Sequence, residues 1–255
     1  MSYDDELKRE MQSTAAKATD EQQALKPLDA ATLIIVDAAS GDARVLMGKR
    51  RADLAFMANK YVFPGGRVDQ ADKQIPVSHE LREIEARKLL VEMKGTPSAT
   101  RARALALAAI REAYEEAGIV VGSQHSGAAA QDLPETWQPF FGLGYRPRLD
   151  GLTLIARAIT PPGRPRRFDT RFFAMTAQGI AERRDISDGE LSGLEWLTLD
   201  AARALDIPNI TRVVLEDLEE RLSAGTLEAS DHPVPFYYLR GTSFQRDMLR
   251  ATDPV

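Results

Sequence analysis

The stretch from Pro97 to Gly118 constrains this chain most. Ser98 or Thr100 can cap a helix that is rich in Ala and Leu and runs to Ala117, and Gly118 suits its left-handed end. The last turns collect Glu112, Glu115 and Glu116 within an arc of about 100° on the helical wheel. Like charges on one stripe destabilise a helix, and its C-terminal dipole disfavours them further. Such a stripe either faces bulk water or meets a positive charge. Carboxylate oxygens at that density suit a hard divalent cation. Arg111 stands beside the stripe and can pair with a carboxylate to orient it.

The rest of the chain supplies strands. Ala31–Asp37 is short, apolar and β-branched, and reads as a buried strand. Turn residues at 37–42 join it to a second strand over Ala43–Arg50, giving a hairpin. Tyr61–Phe63 reads as a strand that runs into Pro64-Gly65-Gly66. Adjacent glycines let a backbone carbonyl approach a metal or a phosphate closely. Ser78–Met93 carries Leu81, Ile84, Leu89 and Met93 among charges, the pattern of an amphipathic helix. Further strands are expected at Leu152–Thr160, Arg171–Thr176 and Leu194–Leu197, and helices at Ala201–Leu205 and Ile210–Leu222. Pro161–Arg167 is a basic loop. Residues 1–27 are polar and form an N-terminal extension that packs on the body or frays. No linker divides residues 28–255, so they read as one α/β domain.

Composition narrows the function classes. Thirty-three Lys and Arg face 38 Asp and Glu, a formal charge of −5, which gives no general attraction to nucleic acid or acidic membranes. The absence of cysteine removes disulfides, thiolate metal sites and a cysteine nucleophile. The first ten residues are too polar for a secretory signal, and no apolar run approaches the ~20 residues of a membrane span. A cytoplasmic protein is expected. Gly41 and Gly48-Lys49-Arg50 miss the P-loop spacing and its Ser or Thr. His79, His125 and His232 share no ligand spacing and read as surface residues.

Phe63-Pro64-Gly65-Gly66, together with Arg111-Glu112-Ala113-Tyr114-Glu115-Glu116-Ala117-Gly118-Ile119, resembles the box of the Nudix hydrolases, G-x5-E-x7-R-E-U-x-E-E-x-G-U with U apolar. Gly66 takes the first glycine position, and Asp72 stands where the family has Glu. Residues 73–110 fill the gap that seven residues span in the family, so an insertion of about 73–103 interrupts the box. The acyl-coenzyme A diphosphatase branch carries a long insert there. Residues 56–72, 109–118 and 167–173 are similar to that branch as well, and the resemblance runs with gaps from about Ala31 to Leu222.

The resemblance implies a Nudix-type α/β/α sandwich around a mixed sheet, with the insertion as a helix beside the box. It implies hydrolysis of a nucleoside diphosphate linked to another moiety, a small-molecule partner, with coenzyme A or acyl-coenzyme A first and ADP-ribose or NADH as alternatives. A non-catalytic nucleotide sensor is the reading from another class. Mg2+ or Mn2+ would be held by Glu112, Glu115, Glu116 and the Gly66 carbonyl, with Arg111 orienting a carboxylate. Asp72 either acts on a metal through water or caps a turn. Glu190 is either the general base or a solvated loop acid. Arg50, Phe56, Arg167 and Asp169 are the expected substrate-binding residues, and the basic loop at Arg164, Arg166 and Arg167 either meets phosphates or is simply solvated. The insert is expected to close over substrate or to form a homodimer contact.

Overall fold

The computed structural model describes residues 2–39, 41–51, 60–126, 132–185, 191–229 and 231–255. Helices α1 (Tyr3–Ala16) and α2 (Asp20–Ala24) come first. Strands β1 (Leu28–Asp37), β2 (Arg44–Arg50), β3 (Tyr61–Val62) and β4 (Gly65–Arg67) follow, then a 3-10 turn at Gln70–Gln74. Helix α3 (Glu83–Leu90) precedes the long α4 (Ala99–Ala117). Short strands β5 (Ile119–Val120) and β6 (Gly122–Gln124), helix α5 (Gln138–Gly142) and strand β7 (Tyr145–Pro147) lead to β8 (Thr153–Ile159) and β9 (Phe168–Thr176). Strands β10 (Glu182–Arg183) and β11 (Leu191–Thr198), helices α6 (Leu199–Ala204) and α7 (Asn209–Ser223), and the hairpin β12 (Val234–Arg240) with β13 (Ser243–Leu249) complete it.

The main sheet runs β11-β2-β1-β9-β8-β12-β13, with β3 on β2 and β4 on β1. It is mixed: β1 pairs with β9 in parallel and β12 with β8 in parallel, whereas the hairpin of β1 and β2 is antiparallel. Side chains alternate across it. Leu33 and Ile35 of β1 enter the core under α4, while Ile34 and Val36 enter the core under α7. Helices therefore cover both faces, which is why β1 reads as an unbroken apolar run rather than an alternating one. The α/β/α sandwich is the architecture expected from sequence.

Local signals position α4 as expected. Ser98 accepts from the Arg101 N–H at 3.3 Å, and Gly118 ends the helix at φ 66° with its N–H on the Tyr114 carbonyl. Strand β4 pairs with β1 in the register Ala31↔Gly66, which lays the two glycines beside α4.

Two segments differ from their expected form. Only Glu83–Leu90 of the expected Ser78–Met93 helix is helical. Ser78 instead donates its N–H to the Pro147 carbonyl, and His79 bridges to Arg148, so backbone pairing with the end of β7 and the residue after it holds the first residues extended. The N-terminal extension is also more ordered than its composition suggests. Leu7 and Met11 of α1 are buried in the core shared with α7, and the Gln12 amide donates to the Thr242 carbonyl at 3.1 Å. Among the described residues no helix is long and apolar enough to cross a membrane.

Candidate active site

Glycine lets β4 and α4 approach closely. A Cβ on Gly66 would stand 2.5 Å from the Glu112 carboxylate, so the carboxylate occupies the space a side chain would take. The Gly65 N–H donates to Glu116 Oε2 at 2.9 Å. Arg50, from the end of β2, places Nη1 3.5 Å from Glu116 Oε1. Glu112 and Glu116, one helical turn apart, thus both lie against the Gly65-Gly66 peptide.

Arg111 organises this stripe. Its Nε and Nη2 donate to the two oxygens of Asp72 at 3.0 and 3.2 Å, and Nη2 donates also to the Arg67 carbonyl at 2.8 Å. Nη1 donates to Glu112 at 2.9 Å and to Glu115 at 2.8 Å. All five guanidinium N–H groups are used, which fixes the fork in one orientation. Asp72 is fully buried and accepts in addition from Trp137 Nε1 at 2.9 Å and from the Asp69 N–H at 2.8 Å. Asp72 is therefore the anchor of Arg111, and it closes the turn Asp69–Asp72 at the same time.

Electrostatics follow from this burial. Burial pushes the Glu112 carboxyl up to about 6, with Arg111 opposing and Glu115 reinforcing the shift. Glu115 is raised for the same first reason, again opposed by Arg111. Burial pulls the Arg111 pKa down, but the bond to Asp72 and the charges of Glu112, Asp72 and Glu115 outweigh it and leave a net rise. Asp72, Glu112 and Glu115 pair with Arg111, and Glu116 pairs with Arg50.

The sequence-derived residues divide into groups. Arg111, Glu112, Glu115, Glu116, Gly66 and Arg50 come together. Phe56 and Glu190 lie outside the described residues. Asp169 requires correction. It is only 1% exposed, and its oxygens are taken by Arg157 at 2.8 and 2.7 Å and by Arg171 at 3.1 Å, so it is a buried ion-pair partner with no face toward a ligand. Arg167 lies at the basic loop, donating to the Thr160 and Leu25 carbonyls, and does not touch the carboxylates. Trp137 and the Arg67 carbonyl were not legible as site groups. Both lie far from the box motif in sequence or act through the backbone, and a tryptophan whose indole must find an acceptor was the sole available signal.

The donor set fits a hard divalent cation. Glu112 and Glu116 offer carboxylate oxygens, and Gly66 has no side chain to keep an ion away. Among the described residues no three acidic, His or Cys side chains form a closed metal cage. Mg2+ needs none, because it commonly binds through one or two carboxylates and completes its shell with water and substrate phosphate.

No family profile matches the chain. A protein of Caenorhabditis elegans bearing the name "Putative nudix hydrolase 7" is 29% identical over 163 residues, which is 60% of this chain and 46% of that protein. The chain thus spans about half the length of the curated relative it matches. The crystal structure of a NUDIX hydrolase from Alicyclobacillus acidocaldarius superposes with a TM-score of 0.57 at 26% identity, covering 78% of this chain and 97% of that one. With Gly66 and the carboxylates of α4 brought together, the chain is similar to Nudix hydrolases both in sequence and in fold.

Proposed function

We propose that the chain is a divalent-metal-dependent diphosphatase acting on a nucleoside diphosphate linked to a second moiety. The observation that carries this reading is the placement of Glu112 and Glu116 against Gly66 and Gly65, with Arg111 locked behind them by Asp72. Glu112, Glu115, Glu116 and the Gly66 carbonyl would hold Mg2+ or Mn2+. When bound, the metal would neutralise diphosphate charge and lower the pKa of an attacking water.

The chain's own groups do the positioning. The Gly65 N–H and Arg50 fix the direction of Glu116. Arg111 Nη1 bridges Glu112 and Glu115 and offsets their mutual repulsion. Glu190 is the proposed general base, taking a proton from the attacking water. It immediately precedes Leu191, whose backbone pairs with Arg50. The proposed catalytic unit is residues 28–255.

Coenzyme A or an acyl-coenzyme A is the first substrate proposed, on the branch resemblance of residues 56–72 and the insert within the box. The test is a panel of coenzyme A, acyl-coenzyme A, ADP-ribose, NADH and a nucleoside triphosphate with Mg2+ or Mn2+, with products identified by mass. Release of 3′,5′-ADP and phosphopantetheine from coenzyme A is expected. Turnover of another diphosphate alone overturns the substrate and keeps the activity. No metal-dependent turnover of any member overturns the activity and favours a nucleotide sensor.

A further inference from the structure

A cavity of about 440 Å³ opens where the start of β1 meets the start of β9. Lys26, Arg67, Arg166 and Arg167 line it, and among the described residues no acidic side chain does. Leu25, Leu28 and Phe168 form its apolar wall. Lys26, Arg67 and Arg166 are exposed, and their side chains form no ion pair or hydrogen bond among the described residues. Arg167 is half-buried. Among the described residues its guanidinium meets only neutral carbonyls, those of Thr160 at 3.0 Å and Leu25 at 2.7 Å. Burial lowers its pKa with no carboxylate to restore it.

Asp29 and Asp169, which follow the lining residues Leu28 and Phe168 in sequence, are already used. Asp29 pairs with Arg101 and with Arg171, and Asp169 pairs with Arg157 and with Arg171. Three guanidiniums share two carboxylates, and Arg171 Nη2 is buried with no hydrogen-bond partner among the described residues. The field behind the wall is therefore positive as well. In a chain of net charge −5, a concave concentration of unbalanced cations beside apolar surface is the pattern of a site for an amphipathic anion.

The walls are also fixed in place. Gly163, at φ 97°, packs its Cα against the Thr14 carbonyl of α1, Arg164 pairs with Glu10, and the Leu28 N–H donates to the Arg167 carbonyl at 2.9 Å. The basic loop is thus moored to α1 on one side and to β1 on the other. Arg67 directly follows Gly66, and its carbonyl is held by Arg111, so the cavity shares a backbone segment with the carboxylate site.

We propose that this cavity binds an organic phosphate, with its phosphate among Lys26, Arg67, Arg166 and Arg167 and its organic body on Leu25, Leu28 and Phe168. Guanidiniums fork onto phosphate oxygens, and lysine adds a point charge. The phosphate belongs either to a separate compound or to the far end of the diphosphate substrate. Only the second source rests on the diphosphatase reading.

The test titrates phenyl phosphate into the full chain by calorimetry, with phenol and inorganic phosphate as controls. Saturable binding is expected, tighter than that of inorganic phosphate, with none for phenol. Lys26→Glu with Arg166→Glu should weaken it at least about tenfold, and the paired Lys26→Met and Arg166→Met variant should weaken it less, in the same direction. Absence of saturable binding, or equal affinity in the charge-reversed variant, overturns the proposal whatever the enzyme assay gives. The source is read from kcat/KM for coenzyme A against its 3′-dephospho form. In the charge-reversed variant that ratio falls if the phosphate is the substrate's own, and holds if it is not. Either result keeps the site.

Discussion

At the scale of residues, the site depends on one missing side chain and one fully used arginine. Gly66 has no Cβ, so the Glu112 carboxylate can lie on its Cα. Gly66→Ala should displace that carboxylate and lower kcat by about 10- to 100-fold, with the melting temperature changed little; steady-state kinetics and calorimetry separate the two. Asp72→Ala removes the bidentate partner of a buried guanidinium. It should cost about 3 kcal/mol in urea unfolding, whereas Asp72→Asn, which keeps an acceptor for Trp137, should cost less. The box residues were legible because their chemistry is local: a carboxylate stripe, a glycine pair and an arginine. The part played by Asp72 was not, since Trp137, which holds it, lies on the far side of α4 in sequence. Asp169 misled for the opposite reason. Its surroundings in sequence are basic, but Arg157, its main partner, belongs to the neighbouring strand.

At the scale of elements, α4 carries the chemistry, and its ends determine where the carboxylates fall. Gly118→Ala would place a side chain at φ 66° and should cost about 1–2 kcal/mol in unfolding free energy. The caps and Ala-rich body of α4 were readable because local propensity and tertiary packing agree there. The insert was not read fully. Glu85 and Lys88 of α3 are buried as an ion pair at 3.0 Å, with Glu85 also accepting from the Leu154 N–H. A periodicity that counts charges as outward-facing places such residues on the wrong side of the helix. The hairpin of β12 and β13 was missed too. Gly241 at φ 62° marks its turn, and Val234–Arg240 has the aromatic content of a strand.

At the scale of the whole molecule, the sheet brings distant segments to one edge of the box, and the N-terminal extension packs against the opposite helical layer. A titratable group lies within that layer. Asp217 of α7 is buried, accepts from Tyr237 at 2.8 Å and from Arg246 at 3.2 Å, and faces Asp4 of α1. Burial pushes its carboxyl up to about 7, from 3.8 for the free group. The folded chain therefore retains a proton that the unfolded chain gives up from about pH 4 upward. Stability falls as pH rises through that window, and the loss is complete above about pH 7. It amounts to about 2–4 kcal/mol. Urea midpoints at pH 5.5 and pH 8 should show wild type weaker at pH 8, with a smaller difference in Asp217→Asn. Glu112 adds slope of the same sign in both proteins, so the contrast between the two curves is the quantity to read.

The central claim is that Glu112 and Glu116 act through a bound divalent cation in hydrolysis of a diphosphate. Initial rates on the best panel substrate, measured against Mn2+ concentration for wild type, Glu112→Gln and Glu116→Gln, test it most directly. Wild type should be inactive in chelator and saturable in metal, and each variant should lose at least about 100-fold in kcat/KM with an unchanged circular dichroism spectrum. Turnover that persists in chelator, or a Glu116→Gln rate within about twofold of wild type, would contradict it.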